Sequence, residues 1–329
     1  MKDPHQHKLI EAASRLGIEV EDFAERWGMD AVFYRFKGKS ALVIDGRIYP
    51  GLTHQTDLLI ENKFATKQLL QELAIPVPAD HVFRLPAEED AEPSEKFDLE
   101  GELRQLYRDG QTYVCKPLYG TDGDGVGMHL QSLDAIIAHI EAWQEDYATW
   151  MLEEQVAGQD LRIQVIGGEL VAACVREPAF VTGDGAHTLD ELIAQHNEKI
   201  HAQNPKNHLV MDGATRNLLR QQDVFLSSVI EADRKIVLKQ VSNMGQGGIA
   251  RDITDQLHPQ YHAWMRAVAE RFQLRTFAFD ALSTDPSGDP REHTQVIELN
   301  AKAQWMHHTF SEGRQHDIPA LVLREILDF

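Results

Sequence analysis

Glu298 and Asn300 are where a chemical reading of this chain begins. Strand alternation in Val296-Ile-Glu-Leu-Asn300 points Glu298 and Asn300 to one face and Ile297 and Leu299 to the other. A carboxylate beside an amide oxygen suits a hard cation, such as Mg2+ bridging phosphate oxygens. Asp280 lies within the apolar run Phe277-Ala-Phe-Asp-Ala-Leu282. A buried carboxylate without a partner is expensive, so a metal or another cation is expected opposite it. Exposed polar positions on an edge strand are the plainer alternative.

A second cluster is Tyr113-Val-Cys-Lys-Pro-Leu-Tyr-Gly-Thr-Asp-Gly-Asp-Gly-Val-Gly127. A β-prone run ends at Lys116, and Gly120, Gly123, Gly125 and Gly127 follow before Met128-His-Leu130 returns as a strand. Such a loop suits a lid over a polyphosphate, with backbone N–H groups approaching the oxygens and the lysine supplying a point charge. It is neither a Walker A loop nor a dinucleotide fingerprint, because the lysine precedes the glycines and their spacing differs. An ordinary hairpin loop has the same composition. In Met151 to Arg162, a strand running into a loop could frame adenosine, with the connector at the adenine edge, Asp160 at the ribose and Arg162 at the phosphates. A hairpin with a surface ion pair fits equally. Arg176 ends an apolar strand and could stabilise a transferring phosphate or an oxyanion, or make a structural salt bridge. Lys239 and the Asn243 to Gly248 loop could form an N–H nest for phosphate or carboxylate. His307 and His308 are adjacent, so on a strand they would point apart and could not chelate one ion together.

Helical periodicity covers Leu9–Leu16, Val20–Trp27 and Thr53–Leu73, the last stopped by Ile75-Pro-Val-Pro78. Alternating segments at Ala31–Phe36, Ser40–Ile44 and Arg47–Tyr49 predict a small sheet. Asp80–Leu85 reads as a strand, and the acidic 86–95 stretch as a solvated excursion. Leu133–Tyr147 is an amphipathic helix, followed by strand-like runs at Trp150–Gln155, Leu161–Ile166 and Leu170–Val175. Thr188–Lys199 is helical, with Thr188 as N-cap and Glu191 in place for a capping box. The polar segment 201–223 gives little signal beyond a short helix at Thr215–Gln221. Tyr261–Phe272 and Ile318–Ile326 are helices, and Arg275–Leu282 pairs with Thr294–Leu299. A chain of 329 residues suggests two or three lobes. A formal net charge of −20 argues against partners recognised through phosphate neutralisation or anionic lipid. Neither a nucleic-acid nor a membrane partner is expected. Both cysteines sit in apolar runs, and no signal region or spanning segment is apparent, so a cytoplasmic location is expected.

In this order the clusters resemble the ATP-grasp superfamily of carboxylate–amine ligases. The residues are Asn62-Lys63 with Thr66-Lys67 and Leu70, Ile75-Pro-Val-Pro78, Cys115-Lys-Pro117 with the glycine loop, Glu153-Glu154 with Gly158, Asp160 and Arg162, and Asp280 with Glu298-Leu-Asn300. Three further stretches are similar to the ATP-grasp portions of cyanophycin synthetase and the fused bacterial glutathione synthetase. These are Arg176 to Ile193, Ser242 to Gly248 with Asp252-Ile-Thr254, and Met306 to Gly313.

The resemblance implies an α+β fold, with two α+β lobes clasping ATP and a small N-terminal α/β domain at 1–57. The glycine-lid lobe would be 58–150, and the metal and substrate lobe 151–329. Lys63 and Lys116 would hold the nucleotide under Gly123, Gly125 and Gly127. Glu153, Glu154 and Val156 would lie at adenine and Asp160 at ribose. Asp280, Glu298 and Asn300 would bind Mg2+, or Mn2+ in its place. Arg162, Arg176, Lys239 and Asn243 would serve catalysis, and Gly247, Gly248, His307 and Arg314 the substrate. A homodimer is implied. Ala301-Lys-Ala-Gln-Trp305 departs from the Pro- or Gly-containing turn that often follows the metal asparagine. The fused enzymes carry a large upstream domain, and only a short region precedes the match here, so their substrates do not transfer.

The function implied is ATP-dependent amide formation through an acyl phosphate, from a small-molecule carboxylate and an amine that are amino acids or small peptides. A small-molecule kinase and a non-catalytic ATP-binding regulator are the alternatives. Neither substrate is legible.

Overall fold

The computed structural model describes residues 2–85, 98–120 and 124–329. The acidic 86–95 excursion and Gly123 therefore lie outside the described residues. Five antiparallel strands form a central sheet, in the order Ile249–Asp252, Glu169–Glu177, Gln159–Ile166, Phe277–Ser283 and Thr294–Asn300. Alternation divides its faces. Leu161, Ile163, Val165, Phe277 and Phe279 face a core completed by Leu70 and by Tyr261, Trp264 and Val268 of the helix Gln260–Phe272. Burying each large side chain is worth about 1.5–3 kcal/mol, which fixes the register and forces the alternate residues onto the opposite face. On that face Asp160 lies across from Arg176, and Asp280 shares a rung with Arg162 and Cys174.

The edge strand does not alternate strictly. A bulge between Asp280 and Ala281 pairs Glu298 with Asp280 but Val296 with Ala281. Val296 and Leu299 both enter the core and Ile297 does not, contrary to the strict alternation expected. Glu298 and Asn300 still arrive beside Asp280.

A second antiparallel sheet runs Asp80–Arg84, Thr149–Glu154, Tyr113–Pro117 and Gly127–Leu130. Helices Leu99–Leu106 and Leu133–Trp143 cover one face through Leu103, Ile136 and Ile140, packed with Cys115, Trp150 and Leu152. Lys116, Glu153 and Asp80 lie on the other face.

The expected single helix at Thr53–Leu73 is two helices, His54–Glu61 and Lys63–Glu72. Asn62 breaks it by taking an extended conformation, and its side chain accepts a hydrogen bond from the Ala65 amide as N-cap of the second helix. Lys63 is thereby placed at the first turn of a new helix.

Residues 19–44 form a three-stranded sheet, Glu19–Asp22, Ala31–Phe36 and Lys39–Ile44. Val20–Trp27 is not a helix: Glu19–Asp22 pairs along Ala31–Phe36, leaving only one turn at Ala24–Trp27. Arg47–Tyr49 contributes a single bridge, Ile44 to Ile48, in place of a strand. The helix Pro4–Leu16 and the closing helix Ile318–Leu327 bury Leu9, Val32, Val43, Val322 and Leu323 in one shared core.

Between the central strands lies a unit with its own core. It comprises strands Phe180–Thr182 and Lys235–Val237 and helices Leu189–Gln203 and Gly213–Gln221. The Thr188–Glu191 capping box is present. Among the described residues, no helix is long and apolar enough to cross a membrane.

Candidate active site

Lys63 stands between the two large sheets. Its Nζ donates to the Gly120 carbonyl at 2.7 Å, on the glycine loop, and lies 3.7 Å from Glu298 Oε1 on the central sheet. Burial lowers the Lys63 pKa, and the Glu298 charge opposes that shift. One residue earlier, Asn62 Nδ2 donates to the Tyr119 hydroxyl at 3.0 Å. The start of this helix is therefore tied to the loop after Lys116.

On the lid sheet, Glu153 lies between two lysines. Lys116 Nζ is 2.8 Å from Glu153 Oε2, Lys67 bonds Oε1, and Lys67 also faces Asp80 at 3.5 Å. Burial pushes the Glu153 carboxyl up, but Lys116 and Lys67 outweigh it and hold it below its ordinary value. Burial lowers Lys67 and raises Asp80. Lys67 is 1% exposed and serves as a counter-ion, which its sequence spacing did not indicate. The strand then leaves into the connector, where Glu154 and Val156 are half-buried. The lid glycines have a packing reason: a Cβ at Gly125, whose φ is 68°, would lie 2.8 Å from Pro117, and one at Gly127 2.8 Å from the His139 ring.

The central sheet carries the second charged group. Arg162 Nη1 donates to Asp280 Oδ2 at 2.6 Å, and Asn300 Nδ2 donates to the same oxygen at 2.6 Å. Arg176 Nη2 bonds Asp160 Oδ1 at 2.6 Å and stands 2.9 Å from Asp280 Oδ1, without the alignment of a hydrogen bond. The cations expected opposite Asp280 are thus Arg162 and Arg176. Burial raises the Asp280 carboxyl, and the two guanidiniums more than reverse this and hold it low. At Asp160 burial prevails and the pKa is raised despite Arg176. Arg162 also donates to the Gln304 carbonyl at 3.1 Å, so the Ala301 to Trp305 segment supplies a contact to the cluster.

Oxygen donors for a divalent cation converge here. Asp280 Oδ1 is buried and has no hydrogen-bond partner among the described residues, Asn300 uses its amide nitrogen on Asp280 and keeps its amide oxygen, and Glu298 is partly exposed beside them. This all-oxygen set fits Mg2+.

The remaining candidates are more dispersed. Lys239 pairs with Asp212 at 2.6 Å, at the N-cap of Gly213–Gln221. Asn243 closes its own loop: its side chain accepts from the Gly245 amide, and its carbonyl from Gln246 and Gly248. The Gly247 carbonyl is bonded to His196 of the inserted unit at 2.9 Å. Arg314 is largely exposed and pairs with Asp255 at 3.1 Å, whereas nearby His316 is buried against Asp252 at 2.7 Å. His307 and His308 lie on a 3₁₀ turn, Met306–Thr309, rather than a strand. Their rings are 4.4 Å apart, so the expectation that they diverge is overturned. Burial drives both pKa values well below the ordinary histidine range, with His308, Arg162 and Arg176 adding to it at His307 and Arg162, His316 and Arg176 adding to it at His308.

No family model matches the chain. It is 32% identical over 273 residues to a cyanophycin synthetase of Synechocystis, covering 80% of this chain and 30% of that protein. A cyanophycin synthetase of Geminocystis herdmanii is 30% identical over 339 residues, covering 96% and 37%. A glutathione biosynthesis bifunctional protein of Mannheimia succiniciproducens is 27% identical, covering 77% and 33%. The chain thus spans about a third of the length of these curated relatives. Among solved structures, a bifunctional glutathione synthetase from Pasteurella multocida superimposes with a TM-score of 0.72 at 21% identity, over 99% of this chain and 43% of that one. The ATP-grasp ligase PsnB, complexed with a precursor peptide and AMPPNP, gives 0.52 at 12% identity, over 99% and 95%.

Proposed function

We propose that the chain, which shares the fold of a bifunctional glutathione synthetase, is an ATP-grasp protein and acts as an ATP-dependent carboxylate–amine ligase. A substrate carboxylate oxygen attacks the γ-phosphorus of ATP, the bond from that phosphorus to ADP breaks, and an acyl phosphate forms. An amine nitrogen then attacks the acyl carbon, phosphate leaves, and the nitrogen's proton passes to solvent, giving an amide. Phosphoryl transfer of this kind asks chiefly for positioning and charge neutralisation.

The observation that carries this reading is the position of Lys63, which bonds the glycine loop on one side and faces Glu298 on the other. A triphosphate held there would meet Lys63 and Lys116 from the lid and Arg162 and Arg176 from the central sheet. Mg2+, or Mn2+ in its place, held by Asp280, Glu298 and Asn300, would offset charge on the phosphate oxygens. Asp160 is proposed for the ribose and the 154–156 connector for adenine. Lys239, Asn243, Gly247 and Gly248 are proposed to line the substrate side. The acid is proposed to be an amino acid or short peptide, and the amine an amino acid.

The test is ADP release from Mg-ATP across a grid of amino acids and dipeptides, with Glu298→Gln as the blank and mass spectrometry on each positive. Amine-dependent ADP, with a product lighter by one water than its two parts, is expected. A phosphorylated product formed without an amine would make the protein a kinase instead. Failure to bind ATP would sink the proposal.

A further inference from the structure

Cys174 occupies the polar face of the central sheet, directly across from Arg162. The 3₁₀ turn Met306–Thr309 packs against the Glu169–Glu177 strand and brings two imidazoles to the same spot. One ligating atom each from Cys174, His307 and His308 fall within 4.8 Å of one another, and all three residues are buried. His307 Nε2 and both ring nitrogens of His308 have no hydrogen-bond partner among the described residues. Each such orphan costs about 1–3 kcal/mol, so three in one place is an unusual concentration of unmet polar demand. None of the three residues belongs to the oxygen-donor set at Asp280.

We propose that Cys174, His307 and His308 form a binding site for a single cuprous ion. A thiolate with two neutral imidazoles is a soft donor set, and three ligands suffice for Cu(I). Local charge favours a monovalent ion. Arg162 and Arg176 are offset by Asp280 and Asp160, so the surroundings are balanced before any ion binds. A thiolate with Cu+ preserves that balance, whereas a thiolate with a divalent ion leaves a net positive charge buried beside two guanidiniums. Binding breaks the Cys174 S–H bond, forms a sulfur–copper bond and releases one proton to the buffer, with no change of oxidation state. His307, at 5% exposure the least enclosed of the three, marks the side of entry.

Anaerobic competition of the purified chain against a coloured cuprous chelator tests this. One equivalent of Cu+ is expected, bound more tightly than Zn2+ is in a parallel titration. Cys174→Ala and His308→Gln should each weaken binding about a hundred-fold, and Cys115→Ala, which removes the other thiol, should leave it unchanged. Melting curves establish that each variant is folded. Should Cys174→Ala fail to fold, stoichiometry in Cys115→Ala and the loss in His308→Gln decide the matter. Absence of stoichiometric binding, undiminished affinity in a folded Cys174→Ala or His308→Gln, or preference for Zn2+ would overturn the proposal.

Discussion

The two charged clusters hold the same tally of two cations and two carboxylates, yet differ in construction. On the lid sheet, Lys67, Lys116, Glu153 and Asp80 are sealed, and each lysine reaches Glu153 as a compact point charge. On the central sheet, Arg176 spans both Asp160 and Asp280, and at 20% and 27% side-chain exposure Arg176 and Asp160 leave one edge of the group open. A guanidinium fork can bridge two carboxylates in a way an ammonium cannot. The sealed group shields Lys116 and Lys67 from solvent around Glu153, whereas the open one leaves Arg176 and Asp160 accessible to it. Equal charge counts thus need not mean equal roles, and solvent access separates them.

Paired substitutions should break the likeness most sharply. Glu298→Gln, at the open site, is expected to lower turnover about a thousand-fold while shifting stability by less than about 0.5 kcal/mol. Glu153→Gln leaves Lys67 and Lys116 buried without their shared counter-ion and should cost about 3–5 kcal/mol of stability. Denaturant unfolding and ADP release on the same two samples read both effects. If Glu153→Gln proves as stable as the wild type, the sealed cluster is not structural.

Arg176→Lys tests the fork. It keeps the charge but cannot span Asp160 and Asp280 with the same geometry, so kcat should fall about ten- to a hundred-fold with little change in melting temperature. Full activity in this variant would mean that the bridge is dispensable. Acid titration gives a gentler contrast. The Glu153 carboxyl is held below its ordinary 4.5, so the unfolded chain binds that proton more readily than the native one. Its stabilisation is present above 4.5 and is lost as pH falls through the lower folded value. Unfolding curves of wild type and Glu153→Gln should therefore converge on acidification through this range, and parallel curves would contradict the assignment. Tyr119→Phe is the mildest probe. Losing the hydroxyl that accepts from Asn62 should weaken ATP binding by no more than about 1 kcal/mol, measured by calorimetry.

Much of this was legible in the sequence because strand periodicity and charge placement agree there. Asp280 inside an apolar run demanded a cation, and Arg162 and Arg176 supply it across two strands. The break at Asn62 was obscured because apolar spacing continues through it, and only the cap distinguishes one helix from two. Lys67 figures in the resemblance, but its role as a counter-ion was hidden because its partner Glu153 lies eighty-six positions away. Val20–Trp27 reads as helix by spacing, but its first residues pair along a neighbouring strand, where tertiary contact overrides local preference. The convergence of Cys174 with His307 and His308 depended on a tight turn, and two adjacent histidines have no periodicity from which to infer one.

The core joining Pro4–Leu16 and the first small sheet to Ile318–Leu327 has a consequence for synthesis. At about 5–20 residues per second, residues 4–44 emerge on the order of tens of seconds before the helix that covers them. Throughout that interval Leu9, Val32 and Val43 lack Val322 and Leu323, so the nascent chain presents an apolar surface that only the emergence of Ile318–Leu327 can close. The lid sheet, whose strands and helices lie within residues 80–154, has no such wait. Ribosome-bound chains would then carry a folded lid sheet and an uncovered 4–44 segment, and a chaperone acting on them would find its binding surface around Leu9, Val32 and Val43.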